Sequence, residues 1–144
     1  MILDKLLRFS TAQAITTTAV STDKADLSVA RDIGEGEPLY MNFGLNAALT
    51  GGTSVAFEVV TADDAALTSN VTVIGSSGAL LAAALTLNKV IVVALSPLVG
   101  SLGKRYIGAR YTVAGTFSAG TVTADLTNAV ADGQKFYPAG FAVL

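Results

Sequence analysis

The side chains that do most protein chemistry at neutral pH are missing from this chain. It has no histidine and no cysteine, so the usual general base and the thiol nucleophile are absent. A Ser-His-Asp relay cannot be assembled from it, and cysteine-based metal sites and disulfides are excluded. Carboxylates remain for acid–base work. Asp63 and Asp64 are adjacent, and neighbours on a strand point to opposite faces, so they would converge only in a loop; the pair reads as a solvated loop feature. Glu35 and Glu37 flank Gly36 and could share a face. With Asp32 they would offer the clustered oxygens that a hard cation takes, but three acids alone do not make a site, and no cofactor or resident metal is expected.

The other short patterns are equally unproductive. Gly34-Glu35-Gly36 is not a phosphate cradle, because a dinucleotide fingerprint needs a third glycine and a following helix, and here Pro38 and an extended run follow. Asn70-Val71-Thr72 matches a glycosylation sequon. No export signal is visible in the first residues, where Asp4, Lys5 and Arg8 interrupt any apolar core, so the match reads as accidental and the protein as soluble. Arg31, Arg105 and Arg110 have Asp32 and Asp125 available as partners and read as ion pairs of the fold. The expectation is a protein that is not an enzyme.

The elements around these residues are extended. Residues 31–46, RDIGEGEPLYMNFGLN, form a corner followed by a strand. Gly34 and Gly36 admit backbone shapes that a side chain forbids. Pro38 fixes its own φ and biases Glu37 toward extension. Leu39, Met41, Phe43 and Leu45 then alternate with Tyr40, Asn42, Gly44 and Asn46, the period of a strand with one buried face. The structural corner is thus assigned to Arg31, Asp32, Gly34, Gly36 and Pro38.

A strand is expected over 14–20 in the Thr/Ala run, and a turn and short strand over 22–30. The clearest strand covers 54–61, SVAFEVVT, and Gly51-Gly52 marks the turn before it, so 39–46 and 54–61 are expected to pair as a hairpin or antiparallel neighbours. Residues 71–74 form a short extended run and 75–78, GSSG, flexible punctuation. Residues 79–87 are read as irregular to extended, with a helical turn as the alternative. VIVVAL (90–95) reads as a strand buried on both faces, and 96–104 as a loop. RYIGARYTV (105–113) and 121–126 are expected to form a second hairpin. The sum is seven or eight short antiparallel strands with little helix, an all-β, jelly-roll-like sandwich in one domain over 1–144.

The two ends are unusually apolar. Residues 1–10 form a candidate N-terminal arm carrying Ile2, Leu3, Leu6, Leu7 and Phe9. It packs either on its own domain or on a neighbouring subunit. The tail, 135–144, carries Phe136, Tyr137, Pro138 and Phe141, which either cap the core or form an interface, a role aromatics suit because they bury much area with few rotatable bonds. Hydrophobic residues make up 51% of the chain and charged ones 14%, against about 25% charged in a typical soluble domain. So few charges cannot cover a whole surface, which points to uncharged polar cover, burial against another chain, or both. The net charge of −2 and the absence of a basic run give no nucleic-acid footprint. No apolar run reaches the ~20 residues of a membrane span, and no membrane partner is expected.

Several stretches, in order, are similar to a known family: LDKLLRFSTAQAIT (3–16), ARDIGEGEPLYMNFGLN (30–46), RYIGARYTV (105–113) with the segment to Leu126, and FYPAGF (136–141). Together they resemble the capsid cement, or head decoration, proteins of tailed bacteriophages. The resemblance covers essentially the whole chain and departs from the family in 78–87, where the apolar run is longer. It implies a small jelly-roll-like protein without enzymatic activity. It also implies a homo-oligomer, dimer or trimer, on the outer surface of the virion capsid, made in the host cytoplasm, with the major capsid protein as partner. The competing expectation is a non-enzymatic carbohydrate-binding β-sandwich module, which would use exposed aromatics or a calcium cluster.

Overall fold

The computed structural model describes residues 4–30, 38–96 and 104–128. Nine strands in two antiparallel sheets make up nearly all of its regular structure: β1 (Arg8–Ala14), β2 (Ala19–Val20), β3 (Ala25–Asp26), β4 (Tyr40–Thr50), β5 (Ser54–Ala62), β6 (Thr72–Leu81), β7 (Val90–Ala94), β8 (Tyr106–Ala114) and β9 (Ala119–Thr127). One sheet runs β1-β9-β4-β7, and the other runs β2-β8-β5-β6 with β3 also pairing β8. The sheets face each other across an apolar core, so the protein is the expected β-sandwich.

The alternation at 39–45 is borne out, and that at 54–61 holds as far as Val59; Val60 and Thr61 are both buried, Val60 in a second, smaller cluster with Ala62 and Leu67. Met41, Phe43 and Leu45 on β4, and Val55, Phe57 and Val59 on β5, are buried. Phe43 meets Phe57 with ring centroids 5.2 Å apart, and both lie edge-on or tilted to Tyr111 of β8 at 6.0 Å. This trio joins the two sheets at the centre.

The two expected hairpins are corrected. β4 pairs β7 and β9, β5 pairs β6 and β8, and β8 and β9 lie in different sheets. The turns after β4 and after β8 therefore cross the sandwich. Gly51 has φ +91°, and a Cβ on Gly52 would stand 2.6 Å from the Phe117 ring. Phe117, buried in the crossing after β8, plugs that end of the core, and its N–H donates to Thr16 O. Thr16 marks a third crossing. The strand expected over 14–20 is broken at 15–18, where the chain passes from β1 in one sheet to β2 in the other. Crossings from β1 to β2, β4 to β5, β6 to β7 and β8 to β9, with β5 and β6 adjacent, give jelly-roll connectivity.

Two further expectations change, and residues 79–87 combine the two readings offered for them. GSSG is not punctuation. It lies inside β6, where register shifts against β5 accommodate it. Residues 79–87 divide between the end of β6 and a 3₁₀ turn, Ala82–Ala84. VIVVAL is not buried on both faces. β7 ends its sheet, with Ile91 and Val93 turned inward and Val90, Val92 and Ala94 outward.

Candidate interaction surface

The N-terminal turn is built by local capping. The Asp4 carboxylate accepts from the Leu6 N–H at 2.9 Å, and the 3₁₀ turn Lys5–Leu7 follows. Just beyond it the Arg8 guanidinium donates to the buried Asp125 carboxylate at 2.7 Å, fixing the start of β1 to β9. This clamp holds Leu6 out in solvent at 90% exposure. Leu7 is more than a third exposed, beside a depression lined by Asp4, Leu39, Leu126 and Thr127. Phe9, grouped with them in the sequence reading, points the other way and belongs to the protein's own core. Pro38 is exposed at the entry to β4. Ile2, Leu3, Arg31, Asp32, Gly34, Gly36, Phe136, Tyr137, Pro138 and Phe141 lie outside the described residues, as do Glu35 and Glu37.

A second apolar surface was not foreseen. Val73 and Leu81 of β6, Leu87 in the connection, and Val90 and Val92 of β7 are all exposed. β6 and β7 end their respective sheets on the same side of the sandwich, where the Ser96 N–H donates to Ile74 O at 2.7 Å. A run of uncharged β-branched residues reads as doubly buried in sequence, and only the strand order reveals that one face is open. Val73 and Leu81 share the outer face of the five-stranded sheet with their register partners Val60 and Ser54, and Val90 and Val92 lie on the outer face of the other sheet, so these groups flank the edge on its two faces.

The carboxylates serve the fold. The Asp64 carboxylate accepts from the Thr68 and Ser69 N–H groups and the Thr68 hydroxyl, closing its own loop. The bond from Ser69, then that from Thr68, holds its carboxyl below the ordinary range. Asp63 accepts instead from Asn70, so the adjacent acids do not converge. Glu58 accepts from Arg110 and Thr112 at 2.7 Å. Asp26 accepts two bonds from Arg105, which bring its pKa down to about 2 with help from the Ser28 N–H. Among the described residues no three metal-binding side chains come together. The outer face of the β1-β9-β4-β7 sheet holds a polar depression with Arg8, Asn42, Asn88, Thr123 and Asp125 in its lining; among the described residues that line it there is no aromatic ring on which a sugar could stack.

The model of the Bbp16 family matches residues 9–126 of this chain. The chain belongs to the Bbp16 family. Bbp16 is a phage-associated family name. The matched stretch runs from β1 almost to the end of β9, so it takes in both sheets and the β6–β7 edge. No curated protein matches the chain.

Proposed function

We propose that this Bbp16-family chain is a structural virion protein of a phage, a cement protein without enzymatic activity. It binds the outer surface of the capsid and, as a homo-oligomer, bridges neighbouring major capsid protein subunits. The observation that carries this reading is the distribution of exposed apolar groups: apart from Val29, those among the described residues lie at Leu6 and Leu7 and flank the β6–β7 edge of the two-sheet body. The family membership and the low charge content support it. The mechanism is multivalent clamping. Each contact is modest, and symmetric repetition makes the release of any one contact ineffective.

The test is co-sedimentation with heads that lack the protein, followed by thermal rupture of the decorated and bare shells. Saturable binding and a raised rupture temperature are expected. Protein that stays in the supernatant at all concentrations would sink the proposal. Leu6→Asp, placed where the side chain makes little contact with its own fold, should weaken binding and leave the melting temperature unchanged.

A further inference from the structure

We propose that the polar depression on the outer face of the β1-β9-β4-β7 sheet takes a neutral amide, the side chain of a glutamine or asparagine on the surface this chain covers. The choice of partner rests on the cement reading, while the amide site itself is measurable without a capsid.

Gly44 forms the floor of the depression, whose volume is about 350 Å³. It lies within β4 and faces outward, between the inward-facing Phe43 and Leu45. A glycine inside a strand weakens it, and marks a bulge, a bend or a place where another group approaches the backbone. β4 keeps unbroken register from Tyr40 to Gly44 against β7 and from Tyr40 to Leu45 against β9, so there is no bulge at Gly44. Its φ is not left-handed, and an added Cβ would meet nothing within 4 Å. No contact among the described residues excludes a side chain here. What the missing side chain leaves is the space above the strand.

The register sets the walls. Arg8, Asp125, Asn42 and Val92 are successive partners in one row across the outer face, and Thr123, Gly44 and Val90 form another. Asp125 is only 3% exposed and Asn42 5%, although both point away from the core. Arg8 Nε donates to one Asp125 oxygen, and no other described group bonds to that guanidinium or carboxylate. A donor and an acceptor therefore stand side by side with their charges cancelled. A carboxylate entering here would meet Asp125, and an ammonium would meet Arg8. A primary amide presents one carbonyl and one N–H₂ in a plane, so its oxygen accepts from Arg8 while its N–H donates to Asp125. Thr123 is already committed, donating to Asn46 Oδ1 and accepting from the Ala12 N–H. That bond leaves the Asn46 N–H₂, with the Asn88 side chain, for the rim. Two strand spacings, about 9–10 Å, separate β7 from β9. A glutamine spans much of that distance, its methylenes on Val90 and its amide at the ion pair. The N-acetyl group of an amino sugar carries the same chemistry, but the described lining offers its ring no aromatic platform. Val90 and Val92 instead give this face the exposed apolar border that a protein surface covers.

The experiment is an NMR titration of the isotope-labelled whole chain with propanamide, which carries the amide and its apolar stem. Saturable shifts are expected at the Gly44 amide, the Asn46 and Asn88 side-chain amides and Arg8 Nε–H, half-complete at about 10–100 mM for so small a probe. Propanoate and propylammonium should bind at least about tenfold more weakly, because each meets a like charge. Gly44→Val fills the floor with a residue that suits a strand and should abolish the shifts without lowering the melting temperature. Asn88→Gly, which tolerates the φ of +62° at that position, should weaken binding severalfold. No saturable shift, or unchanged binding in Gly44→Val, overturns the proposal. Tighter binding of N-acetylglucosamine than of propanamide overturns the protein partner in favour of a glycan. On bare heads Gly44→Val should bind at least about tenfold more weakly than the unaltered chain, as loss of a buried polar contact implies; equal binding overturns the partner assignment. An unaltered chain that takes propanamide and ignores heads would sink the cement reading alone.

Discussion

Replacing Phe43 by alanine tests whether the two sheets are held together where the ring trio lies. Phe43 is fully buried and reaches from β4 to Phe57 and Tyr111 on the opposite sheet. Deleting such a ring costs about 3–5 kcal/mol in lost transfer energy and unrelaxed cavity. The upper half of that range is expected, because two ring contacts worth roughly 0.5–1.5 kcal/mol each vanish with it. Against a total stability of about 5–15 kcal/mol, the change is large enough to read directly. Urea unfolding with a shared slope gives the difference, and Val92→Ala, on the open face of β7, should stay within about 0.5 kcal/mol. The sharper readout is a double-mutant cycle between Phe43 and Tyr111. Residues in contact show coupling of roughly 0.5–3 kcal/mol, whereas distant ones add. A loss below about 2 kcal/mol with no coupling would refute the placement of β4 across from β8.

Other consequences follow from single contacts. Gly75→Ala drives a Cβ into Ala94 O and Val93 Cγ1, so backbone must move and about 1–3 kcal/mol should be lost; Gly44→Ala, with nothing within 4 Å of the new atom, should be neutral or slightly stabilising in the same thermal melts. Burial of Tyr111 pushes its phenol up to about 12, partly offset by its bond to Ser10. Because the folded value lies above the unfolded one, its contribution is intact below about pH 10 and is lost as pH rises from there toward 12. Unfolding midpoints from pH 8 to 11 should fall accordingly, and Tyr111→Phe should remove most of that slope. Asp26 is shifted the other way, to about 2, first by its bond from Arg105; any stability it adds is present above about pH 4 and fades as pH falls toward 2. A carboxyl titration followed by NMR should show Asp26 moving up toward its ordinary range in Arg105→Gln, and an unmoved titration would mean the pair is not formed in solution.

What could be read from the sequence was local, and what could not was relational. The period of two in 39–45 and 54–59 named the core-facing side chains correctly, because side-chain direction along a strand is set by the residue's own backbone; the burial of Val60 against Leu67 on the other face comes from a loop that folds back over it. Which strand lies beside which is not so determined. Gly51-Gly52 is equally good chemistry for a hairpin and for a crossing between sheets. The choice fell to contacts made far along the chain, where Phe117 packs over Gly52 and Thr53 N–H bonds to Ala114 O. The same blindness produced the second false hairpin between β8 and β9.

The misreading of β7 has the most consequence for function. VIVVA is uncharged on both faces, and a strand with that pattern in the middle of a sheet would be silent. At the end of a sheet the same residues leave Val90 and Val92 facing solvent, with their backbone groups turned outward. The arm, for which the sequence left both its own domain and a neighbouring subunit open, divides. Leu6, Leu7 and Phe9 look alike in sequence, yet the Asp4 cap and the Arg8–Asp125 bond rotate them apart, sending Phe9 into the core and leaving Leu6 outside. In both places an apolar residue became a candidate contact only through hydrogen bonds made by its neighbours. Substitutions that leave composition untouched but break those bonds should therefore shift binding as strongly as substitutions of the apolar residues themselves. If the chain is the cement protein proposed above, Asp4→Asn, which retains a side-chain oxygen for the Leu6 N–H, should preserve its capsid binding. Asp4→Ala frees the turn that presents Leu6 and should weaken that binding although the Leu6 side chain itself is unchanged; equal binding by the two variants would detach the arm from the interface.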